Sequence, residues 1–289
     1  MINRNHIFIY MFLMLISSSF YGLDLTTSFN IGNLGLQKNM ASSTPGMIWG
    51  SSILVEQKIN EQFFFMGGII VDDIIGNKLD SRISYKTTYL ELGLGPSMAS
   101  INNDQFQLKP ALNGYIEIKK EGYFFISGEI YSTIGNLSDS VKDYSQLSTT
   151  LSLGLYIPGA ICIFSFGNEQ YSTFNTSITS VVSKTTDLNS FYQLEADLYK
   201  KNVPFNLILK MGYKSFKRIF PANDVEGRTI AGIGSVFIGL GTRINIGRKI
   251  VLEAGIDSGL YNFTLSDVLN TPDIPVFIFD TNISFKYKF

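Results

Sequence analysis

Apolar side chains recur at every second position through most of this chain, and that regularity restricts it to pleated strands with two unlike faces. The clearest stretch runs from Pro275 to Phe289. One face carries Phe277, Phe279, Thr281, Ile283, Phe285, Tyr287 and Phe289, and the other carries Ile278, Asp280, Asn282, Ser284, Lys286 and Lys288. The same split recurs in Gln107–Lys119, Leu147–Ile157, Phe191–Tyr199, Phe205–Lys214 and Ser235–Asn245. Further candidates are Leu23–Leu36, Met47–Ile59, Phe63–Asp72, Ile83–Ser97, Tyr123–Ile134, Ala160–Phe166 and Ile250–Tyr261. Several exceed the roughly 5 to 6 residues usual in soluble sheets and approach the ~9 to 11 of a strand that crosses a bilayer.

The connections sort by length. Short polar ones fall at Asn60–Gln62, Lys119–Gly122, Pro158–Gly159, Lys201–Pro204 and Gly247–Lys249. Longer ones rich in Ser, Asn, Asp and Thr fall at Gln37–Gly46, Gly135–Gln146, Gly167–Asn189, Lys217–Arg228 and Thr264–Asp273. Turns at one end and loops at the other are the pattern of a transmembrane barrel, with turns in the periplasm and loops outside the cell. The stretches above make thirteen candidate strands, whereas such barrels have an even number. The mismatch lies between Ile83 and Lys119, where Asn113-Gly114 reads as a hairpin signal that would bring the count to fourteen; twelve is the alternative.

Charge decides where the apolar face goes. Charged residues make up 16% of the chain, against roughly 25% in a soluble domain, so there is too little charge to coat a water-facing sandwich. In lipid the faces invert, with the apolar one outward and the polar one inside, and the sheet must close so that no edge is left unpaired. The expected fold is therefore all-β, a closed antiparallel up-and-down transmembrane β-barrel in one domain, 23–289. Residues 1–22 read as a secretory signal peptide: Arg4 and His6, an apolar run from Ile7 to Ile16, then small residues, with cleavage after Ser19 or Gly22.

A signal peptide, a last strand alternating to Phe285-Lys286-Tyr287-Lys288-Phe289 and a final aromatic resemble bacterial outer-membrane β-barrel proteins of porin-like type. The resemblance implies an outer-membrane location. It also implies that Phe285, Tyr287 and Phe289 act as the sorting signal read by the barrel-assembly machinery, which with outer-membrane lipid would be the expected partner.

The polar face of these strands places Glu91, Lys109, Glu117, Glu129, Glu195, Asp197, Lys210, Arg243, Glu253, Asp257, Asp280 and Lys286 as pore-lining candidates. Both signs are present, and twelve to fourteen strands enclose a narrow lumen, which points to a passive channel for small polar solutes. A non-conducting barrel whose charges pair inside while its loops bind ligands is the competing reading, and uptake of hydrophobic solutes a third. Enzymatic chemistry is disfavoured: the only histidine is His6, within the expected signal, so no His-dependent catalytic group remains. Glu195 and Asp197, at i, i+2, share one face and read as lining instead of an acid pair. One cysteine, Cys162, and no Cys-x-x-Cys pair leave no disulfide and no zinc site; no cofactor is expected, and a net charge of −1 gives no grip on nucleic acid.

Overall fold

A computed structural model describes residues 22–33, 47–72, 76–100, 108–135, 142–176, 182–219, 230–265 and 277–289. The expected signal peptide and the segment Gly135–Gln146 as far as residue 141 fall largely outside them. Fourteen strands follow one another: β1 (Leu23–Gly32), β2 (Ile48–Lys58), β3 (Phe63–Asp72), β4 (Gly76–Lys86), β5 (Leu90–Ser100), β6 (Leu108–Lys120), β7 (Phe124–Thr133), β8 (Lys142–Ile157), β9 (Ala160–Thr176), β10 (Val182–Leu198), β11 (Phe205–Ile219), β12 (Ile230–Ile246), β13 (Ile250–Thr264) and β14 (Phe279–Lys288). Each pairs antiparallel with its sequence neighbours, and β14 returns to β1 through Leu25↔Tyr287 and Phe29↔Ile283, closing the barrel. The Phe289 N–H donates to the Leu23 carbonyl at that seam. Closure leaves no unpaired edge, which is what a sheet surrounded by hydrocarbon requires.

The count of fourteen arises differently from the sequence expectation. Asn113-Gly114 lies in the middle of β6, and neither residue has the positive φ that a tight hairpin turn would demand. Asn113 instead points inward and donates to Ser97 Oγ and the Ser81 carbonyl. The extra turn is at Thr87–Tyr89, inside the stretch Ile83–Ser97, where the Thr87 hydroxyl accepts from the Leu90 N–H at 3.0 Å and Thr87 N–H meets the Leu90 carbonyl. A two-sided polar Thr-Thr pair carries little turn signature, so periodicity alone ran the two strands together.

The second correction concerns Gly167–Asn189, expected as the longest connection. β9 continues to Thr176 and β10 resumes at Val182, paired throughout from Val182↔Thr176 to Leu198↔Ala160. β8 and β11 likewise run into the expected loops Gly135–Gln146 and Lys217–Arg228. The physical reason is visible in the aromatic rings. On the outer face Phe166, Tyr192, Tyr213 and Phe263 form a row with centroids 5.0, 6.4 and 5.9 Å apart. Tyr199 and Phe205 are exposed near the short turns. From Phe205 to Tyr213, at ~3.4 Å per residue and a tilt of ~40°, the belt between them is roughly 20 Å high, close to the apolar band of an outer-membrane barrel. Beyond Phe166, β9 stands about 25 Å further out by the same arithmetic. There the outward side chains are polar, as in Asn168, Gln170 and Ser172, whose Oγ bonds Thr186 Oγ1 at 2.9 Å. With water on the outside, the apolar alternation stops while the strand does not.

The barrel wall also bends unevenly. β4 and β6 approach each other across β5, where Gly93 and Gly95 face inward. A Cβ on Gly95 would sit against the Ser81 carbonyl and 2.6 Å from Arg82 Cα, so only glycine permits this corner. On β13 a bulge at Leu260 separates Phe237↔Gly259 from Val236↔Tyr261.

Candidate functional site: the barrel interior

Alternation fixes which side chains turn inward. The outward positions carry exposed Leu92, Leu94, Ile116, Ile118, Leu151, Leu153, Leu209, Met211, Ile238, Leu240 and Ile283. The twelve charged residues singled out from the sequence occupy the alternate positions, and the structure gathers them into two groups on separate arcs of the wall.

The first group lies on β4–β8. Lys86 pairs with Glu91 at 3.1 Å, Lys119 with Glu117 at 2.6 Å, and the Tyr115 hydroxyl donates to Glu117 at 2.8 Å. Arg82 reaches Glu129 at 3.1 Å while its guanidinium stacks over the Tyr115 ring at 4.6 Å. Glu56, Arg82, Lys86, Glu91, Glu117 and Lys119 border a cavity of about 310 Å³ toward the short turns. Nearer the long connections, Lys109 is buried at 2% exposure, pairing with Asp143 at 3.0 Å and donating to the Tyr144 carbonyl. Around it Ala99, Ala111, Tyr131, Tyr144 and Tyr171 form a buried cluster, and the Tyr144 hydroxyl donates to the Ala99 carbonyl. The two alanines are small enough to admit the rings. Lys78 lies over the Tyr131 ring at 4.5 Å.

The second group lies on β10–β14. Arg243 is clamped between Asp197 and Glu253, the latter at 2.8 Å, with Asn206 donating to Asp197 at 3.0 Å. Lys210 stands 3.8 Å from Glu195. Lys214 bridges Asp257 at 2.6 Å and Asp280 at 2.9 Å, and Arg218 makes two bonds to Asp187 at 2.7 and 2.8 Å. At the closing seam Lys286 pairs with Asp24 at 2.7 Å.

Asp24, Arg82, Lys86, Asp187, Lys214 and Arg218 were absent from the sequence-derived set. Lys214 was recognisable, since it shares the polar face of Phe205–Lys214 with Lys210. Arg82 and Lys86 were hidden because Gly76–Lys86 was not read as a strand of its own, and Asp187 and Arg218 because they fall in stretches read as loops.

None of these ion pairs joins the β4–β8 group to the β10–β14 group; each spans four neighbouring strands or fewer. Fourteen strands ~4.8 Å apart and tilted ~40° give a backbone circumference of ~88 Å, so opposite walls stand about 28 Å apart, farther than two extended side chains reach. Among the described residues no group of three or more His, Cys, Asp or Glu is placed to hold a metal ion.

A closed antiparallel barrel with an apolar outer belt, aromatic side chains near each end of it and a charged interior is a bacterial outer-membrane β-barrel of porin-like type. Its place is the outer membrane. No protein-family model and no curated protein matches the sequence. Solved structures do resemble it. A structure described as a bacterial polysaccharide outer membrane secretin is 11% identical, with 94% of this chain and 100% of that one covered and a TM-score of 0.49. An outer membrane channel from Pseudomonas putida F1 is 8% identical over 93% of this chain and 96% of that one, at a TM-score of 0.49. An anion-selective porin from Comamonas acidovorans is 9% identical over 93% and 98%, at 0.39. What those proteins carry does not transfer to this chain at such distances.

Proposed function

We propose that the barrel is a narrow passive channel for small polar solutes, with the paired charges of its interior acting as the filter. The observation that carries this reading is the direction of the pairing: Arg243, Lys214, Lys119 and Lys86 are neutralised along their own wall, not across the lumen. A plug built from side chains would tie opposite walls together. Neutralisation along the wall leaves the middle to water while avoiding the cost of isolated charges. Balanced lining charge favours neutral and zwitterionic solutes over strong selection by sign. On this reading Glu91, Lys109, Glu117, Glu129, Glu195, Asp197, Lys210, Arg243, Glu253, Asp257, Asp280 and Lys286 line the path, and Lys214 and Arg218 join them. Purified, refolded protein added to a planar bilayer should give discrete conductance steps. A silent bilayer with demonstrably folded, inserted protein would refute the channel and favour a barrel that anchors surface loops.

We also infer that Phe285, Tyr287 and Phe289 serve as the sorting signal for assembly. The Tyr287 and Phe289 rings meet edge to face at 4.6 Å beside the β1–β14 seam, so the three present an aromatic edge at the seam that closes the barrel. Phe289→Ala should lower the amount of protein recovered in outer-membrane fractions severalfold while leaving the fold of the inserted fraction intact; undiminished recovery would remove the assignment.

A further inference from the structure

We propose that the sector β10–β13 carries a binding site for an anionic glycerophospholipid of the periplasmic leaflet, headgroup on the short turns and acyl chain on the outer wall. Two features that the channel does not use meet there. The first is charge. The β10–β11 turn presents Lys200 and Lys201 and the β12–β13 turn presents Arg248 and Lys249, all exposed, with no Asp or Glu in either turn. Two other turns on this rim carry an acid close in sequence to the base, Glu61 near Lys58 in the β2–β3 turn and Glu121 beside Lys120 in the β6–β7 turn. These four are in no ion pair with the described residues, although Lys249 lies 5.9 Å from the Tyr287 ring centroid, an arrangement typical of the headgroup level.

The second feature is shape. Directly above these turns the outer face holds an apolar groove of about 560 Å³ bordered by Leu194, Ala196, Leu209, Met211, Ile238 and Ile256, with Ser258 at its edge. It exists because Ala196 and Ser258 stand where the neighbouring outward positions hold Leu, Met and Ile. Tyr192 and Tyr213 close it two residues beyond Leu194 and Met211. From Pro204 to Leu209 is roughly 13 Å along the membrane normal, inside the ~15 Å depth of one leaflet. A chain seated in the groove therefore has its phosphate at the level of Lys200, Lys201, Arg248 and Lys249. The apolar groove alone would accept any chain; the four unbalanced cations choose a lipid with a negative headgroup.

The test is lipid retention. Full-length protein in nanodiscs of equal parts phosphatidylglycerol and phosphatidylcholine is released from the disc, and the lipids it keeps are counted by native mass spectrometry. Wild-type protein should keep phosphatidylglycerol over phosphatidylcholine, less so in high salt. K200Q/K201Q/R248Q/K249Q should lower that preference about tenfold, and A196F/S258F should lower retention of both lipids. K58Q/K120Q should leave the preference unchanged. Equal retention of the two lipids by wild-type protein overturns the proposal without any variant. So does an unaltered preference in the quadruple variant, including the case where it instead loses co-sedimentation with peptidoglycan, which would make the turns a dock for an acidic polymer. A groove-filled variant that changes oligomeric state and not lipid content would assign the groove to a second copy of this chain.

Discussion

At the residue scale, the interior is a set of small charge balances, and each can be unbalanced singly. Lys214 is the sharpest case because one ammonium serves two carboxylates, Asp257 and Asp280, from different strands. Lys214→Met keeps the length of the side chain and leaves two negative groups facing the lumen. Both are partly accessible, so they hydrate instead of forcing the barrel apart, and the consequence appears in permeation. A unit charge about 10 Å from an ion in water is worth ~0.4 kcal/mol, favouring cations and disfavouring anions by the same amount, so at low salt the ratio of cation to anion permeability should rise roughly fourfold. Reversal potentials across a salt gradient measure it. No change in the variant would mean that permeating ions, if any, do not pass Lys214. Arg243 is the counterpart on the neighbouring strand, but it holds Asp197, 2% exposed, and its removal would confuse selectivity with stability.

At the scale of elements, each strand within the belt is a two-sided object whose faces meet different solvents. Leu209 and Lys210 on β11 state this in adjacent residues: Leu209 is exposed midway between Phe205 and Tyr213, while Lys210 faces Glu195 inside. Leu209→Arg should destabilise the folded barrel by about 2 to 4 kcal/mol, the cost of a cation at mid-bilayer depth. Lys210→Arg should change it by under about 1 kcal/mol. Urea unfolding in liposomes compares the two, and equal effects would reverse the assignment of faces. The same alternation made most strands legible in the sequence, because the contrast between Leu209 and Lys210, or Ile283 and Lys286, is written in residue type. It failed where the contrast disappears. Beyond the aromatic row, Asn168 and Gln170 lie on the outer face as Glu169 lies on the inner, and a strand polar on both faces reads as a loop. At Thr87-Thr88 a turn without Gly, Pro or Asn left two strands fused, and Asn113-Gly114 mimicked a turn because Gly114 packs against Ile130 and Asn113 is an inward hydrogen-bonding residue. The partners of individual charges were beyond reach, since Lys214–Asp280 depends on how the two intervening strands, β12 and β13, curve.

At the scale of the whole molecule the two ends of the lumen differ. Toward the short turns the first group of charges surrounds an open cavity, whereas toward the long connections Tyr131, Tyr144 and Tyr171 pack onto Ala99 and Ala111 and fill the side of the bore formed by β5–β9. With walls about 28 Å apart, three rings on one side do not reach the facing wall, and on the channel reading they narrow the outer half. A channel of that shape is a funnel, and neutral polymers distinguish a funnel from a cylinder. Polyethylene glycol of intermediate size added on the short-turn side should enter and depress the conductance, while the same polymer on the other side is excluded and leaves it unchanged. Tyr144→Ala removes the ring at the centre of the cluster together with its bond to the Ala99 carbonyl. The variant should conduct more than the parent and respond to polymer from both sides. The buried rings also contribute to packing, so the β content of the variant is verified first by circular dichroism. A folded Tyr144→Ala barrel with parental conductance and an unchanged response to side would place the narrowest point elsewhere, and with it the filter.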